Sequence, residues 1–144
     1  IPHHYLVPAR AALVLFGQWI SPTRMPKRFD THFYLAATPP EQVAEQDGRE
    51  TTEAVWLGPQ QALDMEEAGT ATIIFPTRMN LGKLAETATT LAALERFASE
   101  PVVTVLPVVG KDDGGAPCLH IPKEAGYIQH MEPLQRVANV AKSK

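Results

Sequence analysis

Residues 24–37, RMPKRFDTHFYLAA, decide how this chain is read. A basic, proline-broken lead-in runs into a segment that alternates. Phe29, Thr31, Phe33 and Leu35 fall on one side, and Asp30, His32, Tyr34 and Ala36 on the other. Period two with aromatic residues predicts a strand, because successive side chains of extended backbone point to opposite faces. Asp30 then lies opposite Phe29 and Phe33 and is not a buried charge. A carboxylate there braces the basic loop, with Arg28 as its expected partner.

Working outward, "PARAALVLFGQW" reads as a short helix after Pro8 that runs into a strand or turn near Trp19. "SPTRMPK" is loop, since two prolines forbid continuous helix or a central strand. On the C-terminal side, "TPPEQVAEQDGRE" is polar with a turn at Asp47-Gly48, and "ETTEAVWL" reads as a second strand antiparallel to the first. "PQQALDMEEAG" is a helix with Pro59 near its start and Gly69 as its stop. "TRMNLGKLAETATTLAALERFAS" reads as one long helix with a stripe through Leu81, Leu84, Ala85, Ala88, Leu91, Ala92 and Phe97. "PVVTVLPVV" is a strand, and "APCLHIP" pairs back across the turn in "GKDDGG". After Tyr127 the pattern is weak, so residues 128–144 are expected to form a loosely structured tail. Three helices and two hairpin-like strand pairs make an α+β domain, and the order excludes a doubly wound parallel sheet.

The 144 residues make one domain, with no repeat or interdomain linker. A net charge of −3 argues against a nucleic-acid or anionic-membrane surface, both of which reward a basic face. No apolar run reaches the roughly eighteen residues of a membrane span. The single cysteine, Cys118, excludes an internal disulfide and fits a reducing compartment, the cytoplasm or an organelle matrix.

Most catalytic constellations are missing. His3, His4, His32, His120 and His130 lack the paired offsets of zinc ligands. Cys118 sits in an apolar strand with no activating base expected beside it. "GKDDGG" is acidic and opens no helix, unlike a phosphate loop. Carboxylates remain: Glu41, Glu45, Asp47, Glu50 and Glu53 form a cluster of the kind that holds hydrated Mg²⁺, or one solvated face of a hairpin.

"WISP…RFDTHFYLA", "DGRETTEAVWLGPQQAL", "PT…L…L" and "IPKEAGY", in that order, resemble the downstream part of Nudix hydrolases, most closely the subgroup related to acyl-coenzyme A diphosphatases. The likeness covers Trp19 to Leu84 well and continues more loosely to Tyr127. It implies the C-terminal part of an α/β/α sandwich with a mixed sheet. It also implies hydrolysis of a nucleoside diphosphate linked to another moiety, possibly coenzyme A, with Mg²⁺ or Mn²⁺ held by a box G-x5-E-x7-R-E-U-x-E-E-x-G-U. Glu41 and Arg49-Glu50…Glu53 share part of that spacing. However, Leu35, Thr51, Ala54 and Trp56 occupy positions where the box needs other residues, and Gly48 would interrupt the required helix. The match is read as coincidence, and the box with the main metal ligands is expected N-terminal to Ile1.

Three readings follow. The chain is the downstream half of such a hydrolase, completed by its missing N-terminal half; or a non-catalytic relative binding a nucleotide-derived small molecule or a protein; or an unrelated interaction module. On the first, strand surface should be left exposed, and a homodimer partner is an alternative cover. By resemblance Glu50 is the candidate metal ligand or general base, with Glu53 second. Arg28, Asp30, Phe75 and Thr77 are candidate substrate contacts. A helix start capped by Thr77 explains the last pair as well.

Overall fold

The computed structural model describes residues 13–41 and 43–142. The apolar run before the basic loop is strand: β1 (Val14–Ile20) carries Phe16 and Trp19 into the interior. The expected helix start at Pro8 lies outside the described residues. A short apolar run suits a central strand buried on both faces as well as it suits a buried helix. β1 is such a strand, in the order β2-β1-β3. It pairs antiparallel with β2 (Asp30–Leu35) and parallel with β3 (Thr104–Val105). Its register shifts between Leu15 and Gly17, a bulge at Phe16.

In β2 the alternation holds. Phe33 and Leu35 pack against the core, while Asp30, His32 and Tyr34 are exposed. Phe29, just before the strand, is also exposed. The hairpin partner of β2 is β1 and not residues 50–57, so one expectation is corrected. Residues 51–58 form no strand and are exposed throughout. Asp47 helps explain this locally: its Oδ1 accepts from the Arg49 and Thr51 N–H groups at 3.0 and 3.1 Å and from the Thr51 hydroxyl at 3.1 Å. A strand would need that Thr51 N–H for its ladder.

α1 (Pro59–Glu67) starts and stops as expected. Pro59 is at its first position, the Gly58 N–H donates to Gln61 Oε1 at 2.8 Å, and Gly69 adopts φ 76° just beyond the end. The single long helix does not form. It divides into α2 (Phe75–Ala85) and α3 (Thr90–Ser99). Threonine side chains cause the break: Thr87 Oγ1 donates to the Leu84 carbonyl at 2.7 Å, and Thr89 Oγ1 caps α3 by accepting from the Ala92 N–H at 3.1 Å. Ala88 and Leu91 of the expected stripe are consequently exposed. α2 also begins earlier than expected, with Ile74 as N-cap, so Thr77 is inside the first turn and is not the cap.

Pro107 divides the next apolar run, leaving β3 and then β4 (Val108–Lys111). β4 pairs with β5 (Pro117–His120) across a turn in which Asp112 Oδ1 accepts from the Gly114 and Ala116 N–H groups. The stretch expected as a loosely structured tail carries regular elements over residues 131–142. β6 (Met131–Pro133) completes the order β4-β5-β6, and α4 (Leu134–Lys142) follows. The described residues thus form an α+β fold with two small sheets. The larger core cluster joins Trp19, Phe75, Met79, Val105, Leu119 and Ile121; the second joins Phe16, Ala93 and Phe97. Phe33 packs against both.

Candidate functional site

Trp19, Asn80, Lys83 and Tyr127 come from three separate stretches, β1, α2 and the turn after Ala125, and meet beside β1. Trp19 points inward from the central strand, and its Nε1–H donates to Tyr127 Oη at 3.0 Å. The Tyr127 hydroxyl in turn donates to Asn80 Oδ1 at 2.7 Å. Asn80 and Lys83 stand three residues apart on α2, hence on one face. Lys83 Nζ donates to the Ala125 carbonyl at 2.7 Å and lies 4.2 Å from the centre of the Tyr127 ring. Phe75 meets Trp19 edge-on at 5.4 Å, and Tyr127 meets it tilted at 5.4 Å. Gly17 is required here: a Cβ would sit 3.0 Å from Asn80 Oδ1 and 3.3 Å from Tyr127 Oη.

Burial sets the electrostatics of this cluster. It holds the Lys83 ammonium below its ordinary pKa and pushes the Tyr127 phenol above its own. Asn80 is only 3% exposed, yet its Nδ2 has no hydrogen-bond partner. Glu86 and Glu100, which bear on Lys83 from a distance, are both held by Arg96 at 2.8 Å. Those two carboxylates raise the Arg96 pKa further.

A second cluster is made of charges. Glu132 on β6 is 1% exposed and accepts from Arg78 on α2, from Gln129 Nε2 at 2.7 Å, and lies 3.5 Å from Arg136 Nε on α4. Arg136 also grips both oxygens of Glu66 on α1 at 2.8 Å. Each carboxylate is matched by a guanidinium, so the set ties α4 to α1 and α2 and presents no surplus charge.

The residues expected to carry chemistry are not brought together. Glu50 and Glu53 lie on the exposed 51–58 region or at its edge. Among the described residues no group of three or more His, Cys, Asp or Glu is placed to hold a metal ion. Asp30 accepts from Gln18 Nε2 at 3.0 and 3.2 Å, and its carboxylate is 3.8 Å from His32 Nδ1. Arg28 instead donates to the Ser21 carbonyl at 3.3 Å, so the expected Arg28–Asp30 brace is replaced by two separate contacts, Arg28 to Ser21 and Asp30 to Gln18. Phe75 is core, packed on Trp19, and Thr77 is half-buried near the start of α2.

Cys118 is buried as expected, but it does have a base beside it. Cys118 and His120 share a face of β5, and Sγ lies 3.2 Å from Nε2. That nitrogen is also 3.0 Å from the Lys111 carbonyl, which has no proton to give, so Nε2 carries the N–H and cannot accept the thiol proton. Burial first, then Asp112 and Asp113, push the thiol pKa up, and the pair is inert. Asp47 differs, its carboxyl held below the ordinary value by the N–H groups of Arg49 and Thr51.

Asn80, Lys83 and Tyr127 were missed by sequence reasoning. The available signal was a lysine and an asparagine on the buried face of a helix that carries Phe75 and Met79. Among the described residues no helix is long and apolar enough to cross a membrane. Comparison with models of known protein families, with curated proteins and with solved structures finds no match to this chain.

Proposed function

We propose that this chain is the scaffold and substrate side of a Nudix-type diphosphate hydrolase, acting on a nucleotide-derived small molecule such as a coenzyme A derivative. The metal-binding glutamates are supplied by sequence preceding Ile1. On this reading the α+β fold is the C-terminal part of the family's α/β/α sandwich, working in a reducing compartment such as the cytoplasm.

One observation carries the reading. Three of the four pieces that suggested the family converge, and the fourth stays out. Trp19 of "WISP", Phe75 and Asn80 around "PTRMNL", and Tyr127 of "IPKEAGY" touch one another directly or through one hydrogen bond. "DGRETTEAVWL", the piece that would adjoin a metal box, lies exposed, with Val55 and Trp56 65% and 69% accessible. Met25, Phe29, Tyr34 and Val43 are exposed with them, and among the described residues β2 has a neighbour on one side only. Exposed large apolar side chains, together with a strand edge left open among the described residues, support a surface that packs on something else.

Glu50 is the carboxylate this chain offers to the completed site, and no step through a metal is assigned to the residues present. The test uses the polypeptide extended by its encoded upstream sequence. Glu50→Gln should lower Mn²⁺-dependent hydrolysis of coenzyme A or ADP-ribose by about tenfold or more while leaving the melting temperature unchanged. Equal turnover in the variant removes Glu50 from the mechanism.

A further inference from the structure

Among the described residues β2 is the edge of its sheet, and little in it discourages a second strand. Its sequence, DTHFYL, contains no proline and no lysine, the usual guards of an exposed edge. Its one full charge, Asp30, is drawn back towards β1 by Gln18 Nε2 at 3.0 Å. β4, at the edge of the other sheet, is guarded: Pro107 precedes it and Lys111 ends it.

Opposite charges flank the two ends of β2. The loop before it, residues 21–29, carries Arg24, Lys27 and Arg28 and no carboxylate. Its own bonds hold it in shape. The Ser21 N–H donates to the Phe29 carbonyl at 2.9 Å, the Phe29 N–H to Ser21 Oγ at 2.9 Å, and the Met25 N–H to the Pro22 carbonyl at 3.1 Å. Met25 and Phe29 stand exposed on this loop. The segment after β2 is the reverse. Residues 43–57 carry Glu45, Asp47, Glu50 and Glu53 against Arg49 alone, with Val55 and Trp56 exposed among them. Each stretch thus joins charge of one sign to uncovered apolar surface. No ion pair among the described residues links loop to segment. The chain enters β2 from the loop and leaves it towards the segment, with a strand of about 20 Å between.

We propose that the edge of β2 receives the same edge of a second copy of this chain. Antiparallel pairing of β2 with β2 about a two-fold axis sets the Asp30 end of each strand beside the Leu35 end of the other. The basic loop of each copy then faces the acidic segment leaving its partner's strand, in two equivalent contacts. Charge chooses this orientation, because parallel pairing would set loop against loop and segment against segment, like charge on like. Met25, Phe29, Val55 and Trp56 supply the apolar area that two short paired strands lack by themselves. The pairing stands apart from the hydrolase reading, since it uses only residues 21–57.

Light scattering and sedimentation of residues 1–144 read the mass directly. A dimer should form in the micromolar range and loosen as salt rises. Reversing the loop (Lys27→Glu with Arg28→Glu) or the segment (Glu45→Lys with Glu53→Lys) should each weaken it about tenfold or more. Mixing the two variants should restore it, because each contact in the mixed pair again joins opposite charges. If a variant fails to fold, the unaltered protein serves, as a mixture of ordinary and heavy-nitrogen-labelled chains treated with a carbodiimide. Lys27 should then be joined to carboxylates of residues 43–57 in cross-links that combine the two labels. A monomer throughout, a dimer indifferent to both reversals, no recovery on mixing, or cross-links confined to one label overturns the pairing. So does an extended polypeptide that stays monomeric because its own upstream sequence covers β2, an outcome that leaves the hydrolase reading standing. A dimer that dissociates and recovers as described supports the pairing even if the extended polypeptide hydrolyses nothing.

Discussion

Replacing Glu132 should be the most damaging single change in the chain, and its cost can be built from its contacts. The carboxylate is 1% exposed and accepts from Arg78, whose side chain is itself 8% exposed. Its other partners are Gln129 Nε2 at 2.7 Å and, more loosely, Arg136 Nε at 3.5 Å. Glu132→Ala strands the Arg78 charge with only Glu66 at 3.9 Å, and breaking a buried pair this way costs about 3–5 kcal/mol. Glu132→Gln keeps the shape and one acceptor, so its cost is about 1.5–3 kcal/mol, that of a hydrogen bond to a charged group. Arg136→Ala, at the 44% exposed end, should cost about 1 kcal/mol or less. The double change Arg78→Met with Glu132→Leu removes both charges together and should recover most of the loss. Urea unfolding of the five proteins reads all four differences. Glu132→Ala within about 1 kcal/mol of the parent, or a double variant worse than the single, refutes the reasoning.

Gly17→Ala would push a methyl to within 3.0 Å of Asn80 Oδ1 and should cost about 1–3 kcal/mol while shifting the environment of Trp19, visible in near-ultraviolet circular dichroism. Cys118 should react with Ellman's reagent only as the chain unfolds; rapid labelling of the native protein would contradict its inert pairing with His120. Lys83 has a depressed pKa in the folded chain, so the unfolded chain binds the extra proton. The penalty is full below the folded value and fades as pH rises towards the ordinary 10.5. Accordingly, a stability advantage of Lys83→Met over the parent should shrink across that window, and a widening one would invert the sign.

What the sequence reveals depends on which interactions are local. β2 is legible because alternation of Phe33 and Leu35 against His32 and Tyr34 is a property of the strand itself. α1 is legible because Pro59 and Gly69 act on their own backbone. β4 and β5 announce themselves through the turn at Asp112. The division between α2 and α3 was also written locally, in Thr87 and Thr89, but the apolar stripe masks it. β1 looked helical because a central strand with both faces covered shows no alternation. Residues 128–142 look weak because their order comes from elsewhere: β6 is set by pairing with β5, and α4 by the ion pairs of Glu66 and Glu132 with Arg136. The expected strand at 50–57 has strand-forming residues and pairs with nothing among the described residues. The same limit applies to the site. Carboxylate-rich sequence drew attention to Glu50 and Glu53, whereas the polar cluster depends on Tyr127 arriving beside Asn80 from a distance of 47 positions.

The most direct test of the proposed function is hydrolysis of ADP-ribose or coenzyme A in the presence of Mn²⁺ by two folded polypeptides: residues 1–144 alone, and the same residues preceded by their encoded upstream sequence. The extended polypeptide should turn over substrate, lose that activity to a chelator, and shield Trp56 from an aqueous quencher, while residues 1–144 alone remain silent. Turnover by residues 1–144 alone, or a folded extended polypeptide with none, would contradict the account.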